Sequence, residues 1–149
     1  MNINQRPARN TDIPQIKKLI YATRLEFGLQ PDNDAALNDI EANYKHGYFG
    51  VILDELKNVV GTFALKHESN TQCEIQKMYL TPGARGKGLG KWMLDFLLEK
   101  AKSDKYTTIR LETANSLKVA QALYRKNGFQ KVEDSSLSSG CDKRFVLKI

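Results

Sequence analysis

The run Arg85-Gly86-Lys87-Gly88-Leu89-Gly90 has residue types and spacing suited to holding an anion. Alternating glycines allow a tight turn that no side chain obstructs. Leu89, Trp92, Met93, Phe96, Leu97 and Ala101 follow at helical spacing and predict an amphipathic helix. The first amides of a helix have no partner inside it, and the helix dipole adds positive potential there. Turn and helix start together make an anion site. Arg85, Lys87 and Lys91 add formal charge around it. The predicted ligand is a diphosphate, and the bland alternative is a glycine-rich connection that holds nothing.

Two familiar phosphate loops do not fit. The P-loop needs Gly-Lys followed by Ser or Thr, but Gly86-Lys87 is followed by Gly88 and Gly90-Lys91 by Trp92. The dinucleotide fingerprint places its third glycine three positions after the second and opens a βαβ unit. Here the third glycine comes after two positions, and the preceding strands read as antiparallel. The charge distribution supports a polyanionic ligand. The 149-residue chain carries a net +6, and the stretch from Arg85 to Lys131 holds eleven basic residues against four acidic. Such a patch suits nucleic acid, a membrane surface or a phosphorylated cofactor, with solvated helix faces as the plain alternative.

The elements that must position this loop can be read from periodicity. Ile3 to Pro7 suggests a short strand. Asn10 to Asp12 offers N-cap side chains, and Ile13, Ile16, Ile20, Thr23 and Phe27 predict a helix stopped by Gly28. A weaker helix is expected from Asp32 to about Tyr44. Tyr48–Leu53, Val59–Leu65 and Cys73–Leu80 read as three antiparallel strands joined by short turns. After the glycine helix come a strand over Thr107–Thr113 and a helix carrying Leu117, Ala120, Leu123 and Tyr124. Phe129–Val132 and Phe145–Ile149 read as closing strands, with a Ser-rich loop from Asp134 to Gly140. The order is β-α-α-β-β-β-α-β-α-β-β, an α+β fold with a mixed, mostly antiparallel sheet flanked by helices. Length and composition, 41% hydrophobic and 27% charged, predict a single domain over residues 1–149. The polar start from Met1 to Thr11 and the lack of a run of roughly 18 apolar residues predict a cytoplasmic protein without a membrane partner. Cys73 and Cys141 have neither metal-ligand nor disulfide spacing, so they read as reduced thiols and no metal is expected. The role of Cys141 is left open.

The run Glu74-Ile-Gln-Lys-Met-Tyr-Leu-Thr-Pro-Gly-Ala-Arg-Gly-Lys-Gly-Leu-Gly90 resembles the acetyl-CoA-binding motif of the GNAT superfamily of N-acetyltransferases. That motif is Arg or Gln, two variable positions, Gly, one variable position, then Gly or Ala. Asn115 followed by Ala120-x-x-x-Tyr124-x-x-x-Gly128-Phe129 is similar to the family's second half. The resemblance implies that the strand before the glycine loop is bulged and splays from the next one to admit the pantetheine arm. The residues give independent support. Cys73 and Ile75 are apolar at odd positions and Met78 and Leu80 at even ones, a phase switch that an inserted residue produces, although Tyr79 keeps the odd phase.

The resemblance further implies an acetyl-CoA cosubstrate. Backbone groups of Met78, Tyr79 and Leu80 would meet pantetheine, Arg85, Gly86, Lys87, Gly88, Leu89, Gly90 and Lys91 the diphosphate, Asn115 the pantetheine arm, and Lys126 the phosphates. It points to Tyr124 as general acid for the leaving thiolate and to Glu74 as a base acting through water. Plain packing is the competing account of Tyr124, and a strand-end charge that of Glu74. Glu112 shares a strand face with Arg110 and is a further candidate base, whereas His67 near a turn reads as solvated. Tyr21, Arg24, Glu26 and Phe27 lie where acceptor contacts are expected, with no role assigned.

The implied acceptor is a small-molecule or protein amine, and homodimers are common in the family. A noncatalytic acyl-CoA-binding sensor is the second reading. A nucleic-acid module is the third, and it would interleave aromatics with the basic residues. Trp92, Phe96 and Tyr106 instead fit buried positions, so no nucleic-acid partner is expected.

Overall fold

The computed structural model describes residues 3–133 and 143–149. Its elements are β1 (Gln5–Pro7), α1 (Ile13–Glu26), α2 (Ile40–Asn43), β2 (Tyr48–Leu53), β3 (Val59–His67), β4 (Gln72–Leu80), α3 (Leu89–Ser103), β5 (Thr108–Thr113), α4 (Lys118–Lys126), β6 (Gln130–Val132) and β7 (Lys143–Lys148). This is the predicted order. The strands form one sheet, ordered β1-β2-β3-β4-β5-β7-β6. Among the described residues only β4 and β5 pair in parallel, because α3 carries the chain back across the sheet between them.

The second helix is shorter than its pattern suggests. A 3-10 turn spans Ala35–Asn38, and α2 is a single turn. Asp34 Oδ1 accepts from the Ala36 amide at 3.0 Å, and Asp39 Oδ1 from the Ala42 amide at 3.1 Å. Each aspartate therefore starts a new turn instead of continuing the last one, as short acidic side chains do when they bond the backbone.

Apolar side chains gather on both sheet faces. Phe63, Leu65, Ile75, Leu97 and Ile109 pack with α3 and α4 on one face. Ile16, Ile20, Leu37, Phe49 and Val51 pack with α1 and α2 on the other. Trp92 and Phe96 meet Phe63 edge-on at 5.8 and 5.4 Å, and Tyr106 is buried. These rings fill the core rather than offering a surface for base stacking. Ile16 is fully buried, so Ile16→Val should cost about 1 kcal/mol, from the missing methyl group and its small cavity. Urea unfolding of both proteins checks this.

The predicted bulge is present. The β3–β4 register passes from Thr62↔Tyr79 to Ala64↔Gln76, so Phe63 faces both Lys77 and Met78. Lys77 takes the left-handed conformation, φ +57°, and its carbonyl accepts from the Thr62 hydroxyl at 2.7 Å. The extra residue turns Met78 and Leu80 to the face that Cys73 and Ile75 already occupy. Tyr79, which in sequence keeps the odd phase, packs on the opposite face against the α1 cluster. It is therefore part of the phase switch and not an exception to it.

Candidate active site

The sheet opens just past Ile75, where the bulge begins. β4 pairs with β5 only from Gln72 to Ile75, opposite Thr108 to Leu111, while Glu112 and Thr113 of β5 pair only with β7. The Thr81 amide donates to the Val60 carbonyl at 2.9 Å. Antiparallel alternation therefore turns the Leu80 amide away from β3 and into the opening. The Leu80 carbonyl also faces outward, where it accepts from Arg85 Nε at 3.1 Å. An exposed strand edge of this kind can receive an extended polar ligand.

The glycine turn lies beside this opening. Gly86 and Gly88 have φ of +74° and +81°, and Gly88 is the residue that caps α3. Trp92 is the first residue of the helix whose amide finds a carbonyl, that of Gly88 at 3.1 Å. Among the described residues, the amides from Gly86 to Lys91 donate to no backbone carbonyl. Leu89 starts the helix. A methyl group placed on Gly90 would lie 3.7 Å from Leu123, so α4 runs close to the start of α3.

The cations around the turn differ in their engagement. Lys87 and Lys126 are exposed. Lys91 pairs with Asp95 at 3.0 Å on the surface, an ion pair that contributes little. Arg85 donates to both oxygens of Glu26 at 2.6 and 2.9 Å and lies over the Phe27 ring. Its guanidinium thus braces the loop against α1. Asn115 stands just past β5, exposed, with its Oδ1 accepting from Lys118 at 2.8 Å. A cleft of about 410 Å³ on the other side of the glycine loop is lined by Ile3, Ile52, Val60, Lys87 and Leu89. Neither Tyr124 nor Glu74 lines it.

Tyr124 projects from α4 toward the opening. It is buried, with its ring 5.9 Å from Phe129 and 6.3 Å from Phe145. Its hydroxyl lies 3.9 Å from Met78 Sδ. Burial, with a smaller contribution from Tyr79, pushes the phenol well above its ordinary pKa, so it is protonated at neutral pH. A thioether is a weak acceptor, so this buried donor has no strong partner among the described residues.

Glu74 lies on the other face of the sheet, also buried. Gln76 donates to one carboxylate oxygen, and Arg110 lies 3.0 Å from the other. Burial raises its pKa, while Gln76 and Arg110 oppose that rise without cancelling it. Arg110 also grips Glu68 at 2.6 and 2.5 Å, and Glu112 pairs with Arg144 at 2.6 Å. As alternation predicted, Arg110 and Glu112 share the face opposite Ile109 and Leu111. The gap between β4 and β5 connects this charged face with the side where Tyr124 lies.

Several contacts escaped the sequence reading, although it had named Arg24 and Tyr79. Tyr44 donates to Gln76 Oε1 at 2.8 Å, which turns the Gln76 amide nitrogen toward Glu74. Arg24 donates to the Tyr79 hydroxyl at 3.1 Å, and Lys77 meets Asp32 and Asp34. Only Lys77 left a signal, as a lone cation at the phase break of a mainly apolar strand. His67 is exposed as expected, but its Nδ1 shares a 2.6 Å hydrogen bond with Tyr106. Cys141 and the Ser-rich loop over Asp134–Gly140 lie outside the described residues.

The sequence profile of the Acetyltransferase (GNAT) family matches residues 14–129. This chain belongs to the GNAT family of acetyltransferases. It is 33% identical over 150 aligned positions to the uncharacterized N-acetyltransferase YjgM of Escherichia coli K12, covering 93% of this chain and 90% of that protein. The GNAT fold recurs in a GNAT-family acetyltransferase from Staphylococcus aureus Mu50, with a TM-score of 0.91, 24% identity and 99% of both chains covered. A GNAT-superfamily phosphinothricin acetyltransferase from Sinorhizobium meliloti, in complex with acetyl-CoA, aligns with a TM-score of 0.78 and 21% identity. That alignment covers 100% of this GNAT chain and 89% of the other. Among the described residues, no helix is long and apolar enough to cross a membrane.

Proposed function

We propose that this GNAT enzyme moves the acetyl group of acetyl-CoA to an amine by direct attack, with Tyr124 protonating the departing thiolate. The observation that carries this reading is the buried Tyr124 hydroxyl at the β4–β5 opening, which among the described residues faces only a thioether sulfur. The outward backbone of Met78 and Leu80 receives the pantetheine amides, with Tyr79, whose own backbone faces β3, between them. The free amides from Gly86 to Lys91, with the Lys87 and Lys91 ammonium groups, hold the diphosphate. Lys126 and Asn115 lie on the α4 side of the same seat. Arg85 holds the loop in place from its salt bridge with Glu26.

The chemistry sets two proton problems. An alkyl ammonium has a pKa near 10.4, so at neutral pH only about one molecule in a thousand is nucleophilic. Glu74, whose carboxyl group meets Gln76 and Arg110, accepts that proton through water. As the N–C bond forms and the C–S bond breaks, Tyr124 gives its proton to sulfur, and the N–H proton that the acylated nitrogen sheds returns to the Tyr124 phenolate through water. Burial raises the phenol pKa, but it equally raises the basicity of a thiolate released into the same pocket, so the pair stays matched. The products are an acetamide and free coenzyme A.

Glu74 has a raised pKa, so its protonation at falling pH should remove activity above the ordinary glutamate range. Glu74→Gln should abolish that limb of the pH–rate profile and lower kcat about tenfold, less than a direct base would because water and Glu112 remain. An unaltered profile would move the base elsewhere.

The reading is tested by mixing acetyl-CoA with a panel of small amines and peptides and recording free thiol. Thiol release that depends on an amine is expected. Tight acetyl-CoA binding with no release on any amine would favour a noncatalytic acyl-CoA sensor.

A further inference from the structure

Between α1 and α2 the chain passes through residues 28–34, which are tied to β4 at the bulge and again just beyond it. Lys77 Nζ lies 2.6 Å from Asp32 Oδ2 and 3.1 Å from Asp34 Oδ2, with its side chain 9% exposed. Both carboxylates are fixed in turn. Asp32 Oδ1 accepts from the Asp34 amide at 3.0 Å, and Asp34 Oδ1 from the Ala36 amide at 3.0 Å. Two residues further along β4, the Tyr79 hydroxyl accepts from Arg24, whose Nε donates to the Gln30 carbonyl at 2.5 Å. Burial by itself would lower the Lys77 pKa, but the two carboxylates outweigh it and hold the ammonium above its ordinary value. It therefore stays charged at neutral pH.

A buried ion cluster is a poor way to gain stability, because desolvation consumes most of the attraction. What this one does is fix a conformation. A lysine at φ +57° is a strained choice for a strand residue. Without its side-chain anchor, the bulge can relax and shift the register of Met78 and Leu80. A one-residue slip would carry both to the other face and take Met78 away from the Tyr124 hydroxyl.

The geometry points to Lys77 as a positioning residue that couples the α1–α2 segment to the coenzyme cradle, through its ion pairs with Asp32 and Asp34. This rests on the reading of the β4 opening as the pantetheine seat. Because coupling is reciprocal, whatever orders residues 28–34 also tightens the cradle.

The test is calorimetric titration of coenzyme A into the wild type, Lys77→Met, Lys77→Arg and the double variant Asp32→Asn/Asp34→Asn. Lys77→Met and the double aspartate variant should each raise the Kd about tenfold, within the usual range for coupled sites. All three substitutions combined should weaken binding no further, because residues of one cluster are not additive. Lys77→Arg keeps the cation and should restore affinity to within about twofold of the wild type. If Lys77→Met fails to fold, the aspartate variant, which keeps the lysine, decides. Wild-type affinity in a folded Lys77→Met protein, strictly additive losses, or no rescue by arginine would overturn the coupling alone. A wild type that bound no coenzyme A would overturn the acetyl-CoA reading along with it.

Discussion

Tyr124→Phe should lower kcat about a hundredfold or more, the usual scale for removing a general acid, while coenzyme A binds as before. The ring keeps its packing against Phe129 and Phe145, so the core is not opened. Among the described residues, the hydroxyl gives up only its long hydrogen bond to Met78 Sδ. Unfolding free energy should change by less than about 1 kcal/mol, since weak hydrogen bonds contribute little net stability. A falling kcat with unchanged affinity marks an interaction made only in the transition state. Leaving-group basicity supplies an internal control. An acetyl thioester whose thiol is more acidic needs its proton less, so the deficit of the phenylalanine variant should shrink as thiol pKa falls. A kcat equal to wild type would take Tyr124 out of the mechanism and leave it as a core residue.

Gly88→Val should raise the Kd for coenzyme A by roughly 10- to 100-fold, from backbone strain of about 1–3 kcal/mol concentrated at the anion site. Gly88 caps α3 at φ +81°, where a β-branched residue is a steric outlier. The turn must rotate to relieve that strain, which redirects the amides from Gly86 to Lys91 that donate to no backbone carbonyl among the described residues. The residue is exposed, so the fold itself should lose little. Pantetheine, which lacks the diphosphate, separates local from general damage. Its affinity should stay near wild type in the same variant. If Gly88→Val bound coenzyme A normally, the diphosphate would have to be held by side chains, and Lys87→Ala and Lys91→Ala would become the deciding variants.

Much of the fold was legible because periodicity reports burial directly. Ile109, Leu111 and Thr113 alternate in sequence and are buried in the structure. Leu89 to Ala101 carry the 3.6-residue stripe of α3. The break between Ile75 and Met78 announced the bulge, because a strand allows only two faces. Local competition was less legible. The stretch from Asp32 to Tyr44 has enough apolar spacing for one helix, yet the Asp34 and Asp39 side chains divide it into two short turns.

The sequence by itself pointed to a candidate anion site, since glycines, flanking cations and a helix start are local features held within seven residues, Arg85 to Lys91. The family resemblance carried by the sequence marked Tyr124 and Glu74 as candidates for moving protons. Only the tertiary structure decided their surroundings. Which oxygen of Glu74 meets Arg110, which way the Gln76 amide points under Tyr44, and that Arg85 turns to Glu26 all depend on partners dozens of residues away. The same holds for Lys77, a charge that finds its carboxylates 45 and 43 positions earlier in the chain. Spacing along a chain fixes which face a residue takes, but what stands opposite that face is set by how the elements pack. Long-range hydrogen-bond partners and the pKa shifts they cause follow from that packing.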